Sequence, residues 1–179
     1  YGPGAATEFY SAAWVGSLLL QWPAGKLSDR MDRRIVIAML TASAAICAFA
    51  LAVLSGNAPQ GLAVFIFFLW GAGGLSFYGI AVAHMADRAE PHKLAQSAAG
   101  LLFVWAAGSI LGPMVQGPLV DWFGIEGVFW FAGVAATLVA AAMFWRRTTR
   151  ASAPASTKAE VAPTMAGSVA AGEIAYGDE

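Results

Sequence analysis

Five long apolar runs, separated by short polar connectors, occupy the chain from residue 10 to residue 145. Each run reaches or approaches the roughly 20 residues that a helix needs to cross the hydrocarbon core of a bilayer. The pattern therefore predicts an all-α fold, a polytopic bundle of transmembrane helices. The five predicted spans lie at about residues 10–27, 34–54, 62–83, 97–120 and 128–145.

Residues 1–150 form one helical domain on this reading, and residues 151–179 differ from it in composition. The tail is rich in Ala, Ser, Pro, Thr and Gly. It cannot bury enough apolar surface to fold, so we predict a disordered tail. The chain starts at Tyr1 without a methionine or a charged leader, and we expect it to be a fragment of a longer protein.

Composition supports the membrane class. Hydrophobic residues make up 59% of the chain and charged residues 12%, whereas soluble domains carry about a quarter charged residues. A soluble helical bundle would show a polar stripe on most helices, and after Arg34 the span 34–54 has no polar residue beyond Thr41, Ser43 and Cys47. The chain also lacks the basic face that nucleic-acid binding requires.

The positive charges predict the orientation of the bundle. All ten Lys and Arg residues fall in three places that alternate with connectors that carry none. Because basic loops stay on the cytoplasmic side, we expect the three places and the tail to be cytoplasmic. The three places are Lys26, Arg30, Arg33 and Arg34; Arg88 and Lys93; and Arg146, Arg147, Arg150 and Lys158.

No Asp, Glu, Lys or Arg lies deep in a predicted span, so the candidate cavity-lining residues are neutral. Polar groups buried in hydrocarbon need partners, and helix–helix hydrogen bonding is the alternative role for each. The candidates are Gln21, Ser76, Tyr78, Trp105, Ser109 and Gln116.

Glycine and proline distinguish the spans from one another. Span 62–83 carries four glycines, and span 97–120 carries glycines and two prolines that remove backbone donors. We expect close packing or kinks there, in helices of the kind that line a cavity. Spans 34–54 and 128–145 lack proline and are expected to face lipid. The packing or kink residues are Gly108, Gly112, Pro113, Gly117 and Pro118.

Catalysis is not expected. Asp87, Glu90 and His92 form the only cluster of reactive side chains, and Pro91 among them indicates a turn. We predict no catalytic residue, no metal site and no cofactor.

The connector after the first span carries six charges in the ten residues from Gly25 to Arg34, which predicts a tight turn at the membrane surface. It resembles the cytoplasmic loop signature of the major facilitator superfamily, G-x-L-A-D-R-x-G-R-R/K-x-x-L. Asp32 departs from the pattern, which has glycine there. The matching residues are Gly25, Leu27, Asp29, Arg30, Arg33 and Arg34.

Two further segments are similar to the same superfamily. Residues 108–118 resemble its G-x-x-x-G-P-x-x-x-G helix, and residues 78–88 resemble the C-terminal half of small, poorly characterised bacterial members. The family has twelve helices in two related halves. The resemblance implies a partial fold in which the five spans are helices eight to twelve. Helices two to six, from the N-terminal half, are the alternative.

The resemblance implies part of a secondary active transporter that moves a small solute by alternating access. Asp29 can pair with Arg33 one turn on, and the family implies that it also latches the other half. The implied partners are the lipid bilayer, the other half of the transporter and an unknown small solute, and the resemblance leaves open whether its transport is coupled to protons. The implied location is a bacterial inner membrane. A non-transporting accessory protein or sensor stays the alternative.

Overall fold

The computed structural model describes residues 1–2, 4–54 and 57–149, and the predicted tail at 151–179 lies outside them. Every regular element in the described residues is helical. A short 3₁₀ turn at Pro91–Lys93 precedes α5. The helices are α1 Ala5–Arg30, α2 Arg33–Leu54, α3 Gln60–Gly74, α4 Phe77–Ala86, α5 Leu94–Phe123 and α6 Ile125–Thr149.

Four helical segments within the described residues are long and apolar enough to cross a membrane. They are Arg33–Leu54, Gln60–Ala86, Leu94–Phe123 and Ile125–Thr149. The first helix has 26 residues, enough in length, but its serines, Gln21 and Pro23 dilute its apolar residues.

The first helix nevertheless runs beside the segment Gln60–Ala86 along most of its length. Glu8 accepts a hydrogen bond from Gln60 near one end, and Ser17 bonds to Ser76 further along. The later residue of α1 bonds to the later residue of the other segment, so the two segments run in the same direction. The first helix therefore covers much of the same depth of the bundle as a segment that qualifies as a span, in agreement with the five-helix prediction.

The third predicted span is not one helix. It consists of α3 and α4, separated by a turn at Leu75 and Ser76. Gly71, Gly73 and Gly74 precede this turn, in which Leu75 and Ser76 keep right-handed helical backbone angles. The predicted span at 62–83 is therefore present as one membrane-crossing length, Gln60–Ala86, which this turn interrupts.

Backbone contact at glycine holds α1 against α3. A Cβ atom at Gly16 would overlap the Phe68 carbonyl, and one at Gly71 would overlap the Ala13 backbone. Glycine thus allows these two backbones to touch, which is how helices gain packing energy in lipid. This confirms the packing role expected of the glycines in span 62–83.

The second helix is the most buried, contrary to its expected lipid-facing position. It packs against α6 and α3 and, over smaller areas, against α4 and α1. Its lipid-exposed surface is a single stripe that includes Met39, Ile46 and Val53. An apolar surface all round a helix does not distinguish lipid from protein neighbours, since both are apolar.

The fifth helix has the opposite character, because none of its residues is buried among the described residues. It continues without interruption through Pro113 and Pro118. No atom lies within 4 Å of a Cβ built at Gly108, Gly112 or Gly117. These glycines therefore make no close helix contact within the described part of the chain, and their kink or packing role stays a prediction.

Candidate functional site at the charged end of the bundle

Three segments of the chain that carry most of the basic residues meet at one end of the bundle. Arg33, which begins α2, pairs with Asp87, which follows α4. Arg34 donates from Nη1 to the backbone carbonyl of Arg146, in the last turn of α6, at 2.7 Å. These contacts confirm that the three places lie on the same side of the helical domain.

The charged connector is mostly helical rather than a ten-residue turn. Its first six residues belong to the last turns of α1, and only Met31 and Asp32 link the two helices. Asp32 accepts a hydrogen bond at Oδ1 from the Arg34 backbone N–H at 3.0 Å. This is a helix cap, and it gives a role to the residue that departs from the family pattern. No non-glycine residue in the described ranges has a positive φ, so Asp32 does not adopt a left-handed turn.

Arg33 is the centre of a buried ionic cluster. Its Nε lies 2.8 Å from Asp87 Oδ2, and its Nη1 lies 3.2 Å from Asp29 Oδ1. Nη1 also lies 3.3 Å from Ser28 Oγ, which donates to the Gly25 carbonyl at 2.9 Å. The Arg33 and Asp87 side chains are 1% and 2% exposed, and that of Asp29 is 31% exposed. The expected pairing of Asp29 with Arg33 is confirmed.

Arg34 is equally buried but has different partners. Its Nη2 lies 2.7 Å from Asp32 Oδ2, and its Nε is within hydrogen-bond distance of both Asp32 oxygens. The two arginines therefore bind separate helices, since Arg33 reaches the end of α4 and Arg34 reaches the end of α6. Of the other signature residues, Gly25 is buried, whereas Leu27 and Arg30 are exposed.

The predicted cavity-lining residues are only partly brought together. The Tyr78 and Trp105 rings lie 6.3 Å apart between centroids. Gln21 lies beside Gly79, with its Nε2 3.7 Å from a Cβ placed there. Tyr78 therefore approaches Trp105 across the α4–α5 contact, and Gln21 approaches Gly79, the residue after Tyr78, across the α1–α4 contact.

The remaining candidates bond within the chain or stand apart. Ser76 is buried and donates to the Ser17 carbonyl at 3.1 Å, so its hydroxyl joins α1 to α4. Ser109 donates to the Trp105 carbonyl within its own helix. Gln116 is half-buried on α5. The Ser76 contact is the interhelical hydrogen bond that the sequence left open as its alternative role, whereas the Ser109 bond stays within α5.

Sequence reasoning missed the role of Asp87, which it placed in a surface loop. An acidic residue at the end of one span, on the same side as an arginine-rich turn, was the available signal. Glu90 pairs with Lys93 at 2.7 Å and lies 3.3 Å from His92. Within the described residues, no group of His, Cys, Asp and Glu could hold a metal ion.

Comparison with known proteins identifies the wider group. The family model described as Major Facilitator Superfamily matches residues 3–175. An uncharacterized MFS-type transporter of Enterobacter sp. (strain 638) is 34% identical over 114 residues, which cover 63% of this chain and 28% of that protein. The uncharacterized MFS-type transporter YcaD of Shigella flexneri serotype 5b is 29% identical over 126 residues, 70% of this chain and 31% of that protein.

The matched part of the chain therefore spans less than a third of the length of these relatives. No solved structure matches the chain. The helical bundle, the arginine-rich turn and the family match agree with one another. The chain belongs to the Major Facilitator Superfamily.

Proposed function

We propose that this chain is the C-terminal part, helices eight to twelve, of a secondary active transporter that moves a small solute by alternating access. The protein lies in a bacterial inner membrane with its arginine-rich end in the cytoplasm. The observation that carries this proposal is the buried cluster around Arg33, which ties the signature turn to the end of α4. The family match is consistent with it.

The cluster suits a gate because its two carboxylates differ in exposure. Asp87 is enclosed and anchors Arg33, whereas Asp29 shares the same guanidinium from a partly exposed position. Asp29 is thus the member placed to exchange contacts with the other half of the transporter. Exposed ion pairs are worth about 0–1 kcal/mol, which suits a contact that breaks and re-forms in every cycle.

The missing half is proposed to cover α5. This helix presents large side chains such as Phe103, Trp105 and Trp122 without burying them in the described part of the chain. Gly108 and Gly112 are one turn apart and open to approach. Small residues at that spacing allow a partner helix to come close in a membrane, which supports an interface there, beside the cavity candidates Tyr78 and Trp105.

The test uses the intact protein reconstituted in lipid vesicles. Uptake of a panel of small solutes is measured with and without an imposed pH gradient, which also decides whether transport is coupled to protons. We expect flux of at least one solute and slower flux in Asp29→Asn at equal insertion. Glu126→Gln, at the opposite end of the bundle, is the matched control and should transport normally. A folded protein without flux of any tested solute would favour the accessory or sensor role.

Orientation has its own test. Single cysteines are introduced at Lys26 and at Gln60 in a cysteine-free background and treated with a membrane-impermeant maleimide on intact cells. We expect labelling at position 60 and protection at position 26. Labelling at position 26 alone would reverse the proposed orientation.

A further inference from the structure

A cavity of about 300 Å³ opens at the arginine-rich end of the bundle, beside the ion cluster. Three arginines line it, one from the start of α2, one after the end of α4 and one from the last turn of α6. Among the described residues no carboxylate belongs to its lining. The three arginines are Arg34, Arg88 and Arg146.

The first of these arginines is a fixed wall of the cavity. The Arg34 guanidinium is held by Asp32, and its Nη1 bond to the Arg146 carbonyl positions the end of α6. This contact places the Arg146 side chain at the cavity rather than leaving it on a loose helix end. Arg34 therefore organises the cavity, and its own charge is balanced by Asp32.

The other two arginines are not balanced in this way. Nη1 of Arg88 lies 2.9 Å from Nδ1 of His84, a neighbour that brings no negative charge. Neither Arg88 nor Arg146 has a carboxylate within 4 Å in the part of the chain that the structure describes. The acids at this end have other partners: Asp87 pairs with Arg33 and Glu90 pairs with Lys93.

The electrostatic surroundings favour an anion in the cavity. Burial, and then the positive charges of Arg34 and Arg146, lower the pKa of Arg88, and the carboxylates of Asp32 and Asp87 offset this lowering only in part. A bound anion would offset this repulsion between like charges. Ser97, in the first turn of α5, adds a hydroxyl to the lining, where the positive end of a helix dipole favours negative charge.

We propose that this cavity binds a phosphate group, with Arg88 and Arg146 as its charged donors and Ser97 as a neutral one. Basic pockets between transmembrane helices on the cytoplasmic side bind anionic headgroups, and the orientation proposed above puts this end of the bundle there. The phosphate group comes from an anionic phospholipid or from a soluble phosphate compound. The proposal does not depend on which solute is transported.

The experiment measures binding to the intact, delipidated protein in neutral detergent. The probes are phosphatidylglycerol, phosphatidylcholine and inorganic phosphate, scored by native mass spectrometry for the lipids and by the rise in Tm for all three. Preferential retention of phosphatidylglycerol over phosphatidylcholine assigns the site to a lipid headgroup. Stabilisation by inorganic phosphate without that preference assigns it to a soluble anion.

Variants separate the cavity from general surface charge. Arg88→Gln combined with Arg146→Gln should weaken binding about thirtyfold. Each basic group near a membrane surface contributes about 1 kcal/mol to the binding of an anionic lipid, and the loss of two such contributions corresponds to that factor. The double change to lysine at both positions keeps the charge and should retain most of the binding. The control Arg147→Gln, next to the cavity on the same helix turn but outside its lining, should bind normally.

Two outcomes would overturn the proposal. One is equal binding of all three probes or of none by the wild-type protein. The other is a loss in Arg147→Gln as large as in the double glutamine variant. If the glutamine variant fails to fold, as judged by gel filtration, the lysine variant decides, because a folded lysine variant that has lost selective binding also contradicts the proposal.

Discussion

Asp87 and Asp29 contact the same guanidinium, yet their removal should have very different costs. The Asp87 side chain is 2% exposed and lies 2.8 Å from Arg33, whose own side chain is 1% exposed. Asp87→Asn keeps the shape and one acceptor but removes the charge. A buried ionic partner left uncompensated costs about 3–5 kcal/mol. Because Asp29 remains beside Arg33, we expect about 3 kcal/mol for Asp87→Asn.

Asp29→Asn serves as the matched comparison. Its side chain is 31% exposed, and its ion pair with Arg33, at 3.2 Å, joins the last turn of α1 to the first residue of α2. Because the Asp29 side chain keeps part of its surface in water, and Asp87 stays paired with Arg33 in the variant, we expect Asp29→Asn to cost about 1 kcal/mol or less. The stability assay therefore separates the anchoring carboxylate from the gating one, since Asp29→Asn is expected to affect transport rather than folding.

The assay is reversible unfolding of the intact protein in mixed micelles of neutral detergent and dodecyl sulfate, followed by tryptophan fluorescence. The midpoint should shift strongly for Asp87→Asn and slightly for Asp29→Asn. Equal shifts for the two variants would refute the reasoning, because they would show that burial does not set the strength of these pairs. A shift for Asp29→Asn larger than that for Asp87→Asn would do so as well.

Three further changes test the packing of the bundle in the same assay. Gly71→Ala should destabilise the protein by about 3 kcal/mol, because the new methyl group meets the α1 backbone. Gly61→Ala is the control on the same helix, where a methyl group meets nothing, and it should be neutral or stabilising. Equal effects of the two changes would contradict the close contact. Ser76→Ala should cost about 1 kcal/mol through its lost interhelical hydrogen bond, and no measurable loss would show that the α1–α4 joint does not depend on this hydroxyl. Gly124→Ala should cost about 1–3 kcal/mol because Gly124 has φ 71° and ψ −170°, and an unchanged midpoint would show that the turn before α6 adopts another conformation.

The sequence was sufficient for the class and for the prediction that the basic residues share one side of the bundle. Long apolar runs can satisfy their backbone groups in lipid only as helices, so hydropathy alone predicts a helical membrane bundle. The loop signature then identified the family, and the match over residues 3–175 agrees. The sequence also predicted the pairing of Asp29 with Arg33, but the two residues belong to different helices, and the two-residue link between α1 and α2 brings them together.

The contents of the charged site were less predictable because they depend on distant segments. Arg33 and Asp87 are 54 positions apart, and Arg34 and Arg146 are 112 apart. No local pattern pairs these residues, since the pairing follows from which helix ends the fold brings to the same place. The same holds for the burial of α2, whose composition is that of a lipid-facing helix.

The sequence by itself determined that the chain crosses a membrane as helices, that its basic residues gather at one end, and to which superfamily it belongs. These properties depend on the hydrophobic length of each run and on local spacing. Tertiary structure alone decided that α2 is the central helix, that the third span breaks after its glycines, and that Arg33 and Arg34 fasten two different helix ends. Those outcomes depend on contacts between segments far apart in the chain, which packing selects and local sequence does not encode.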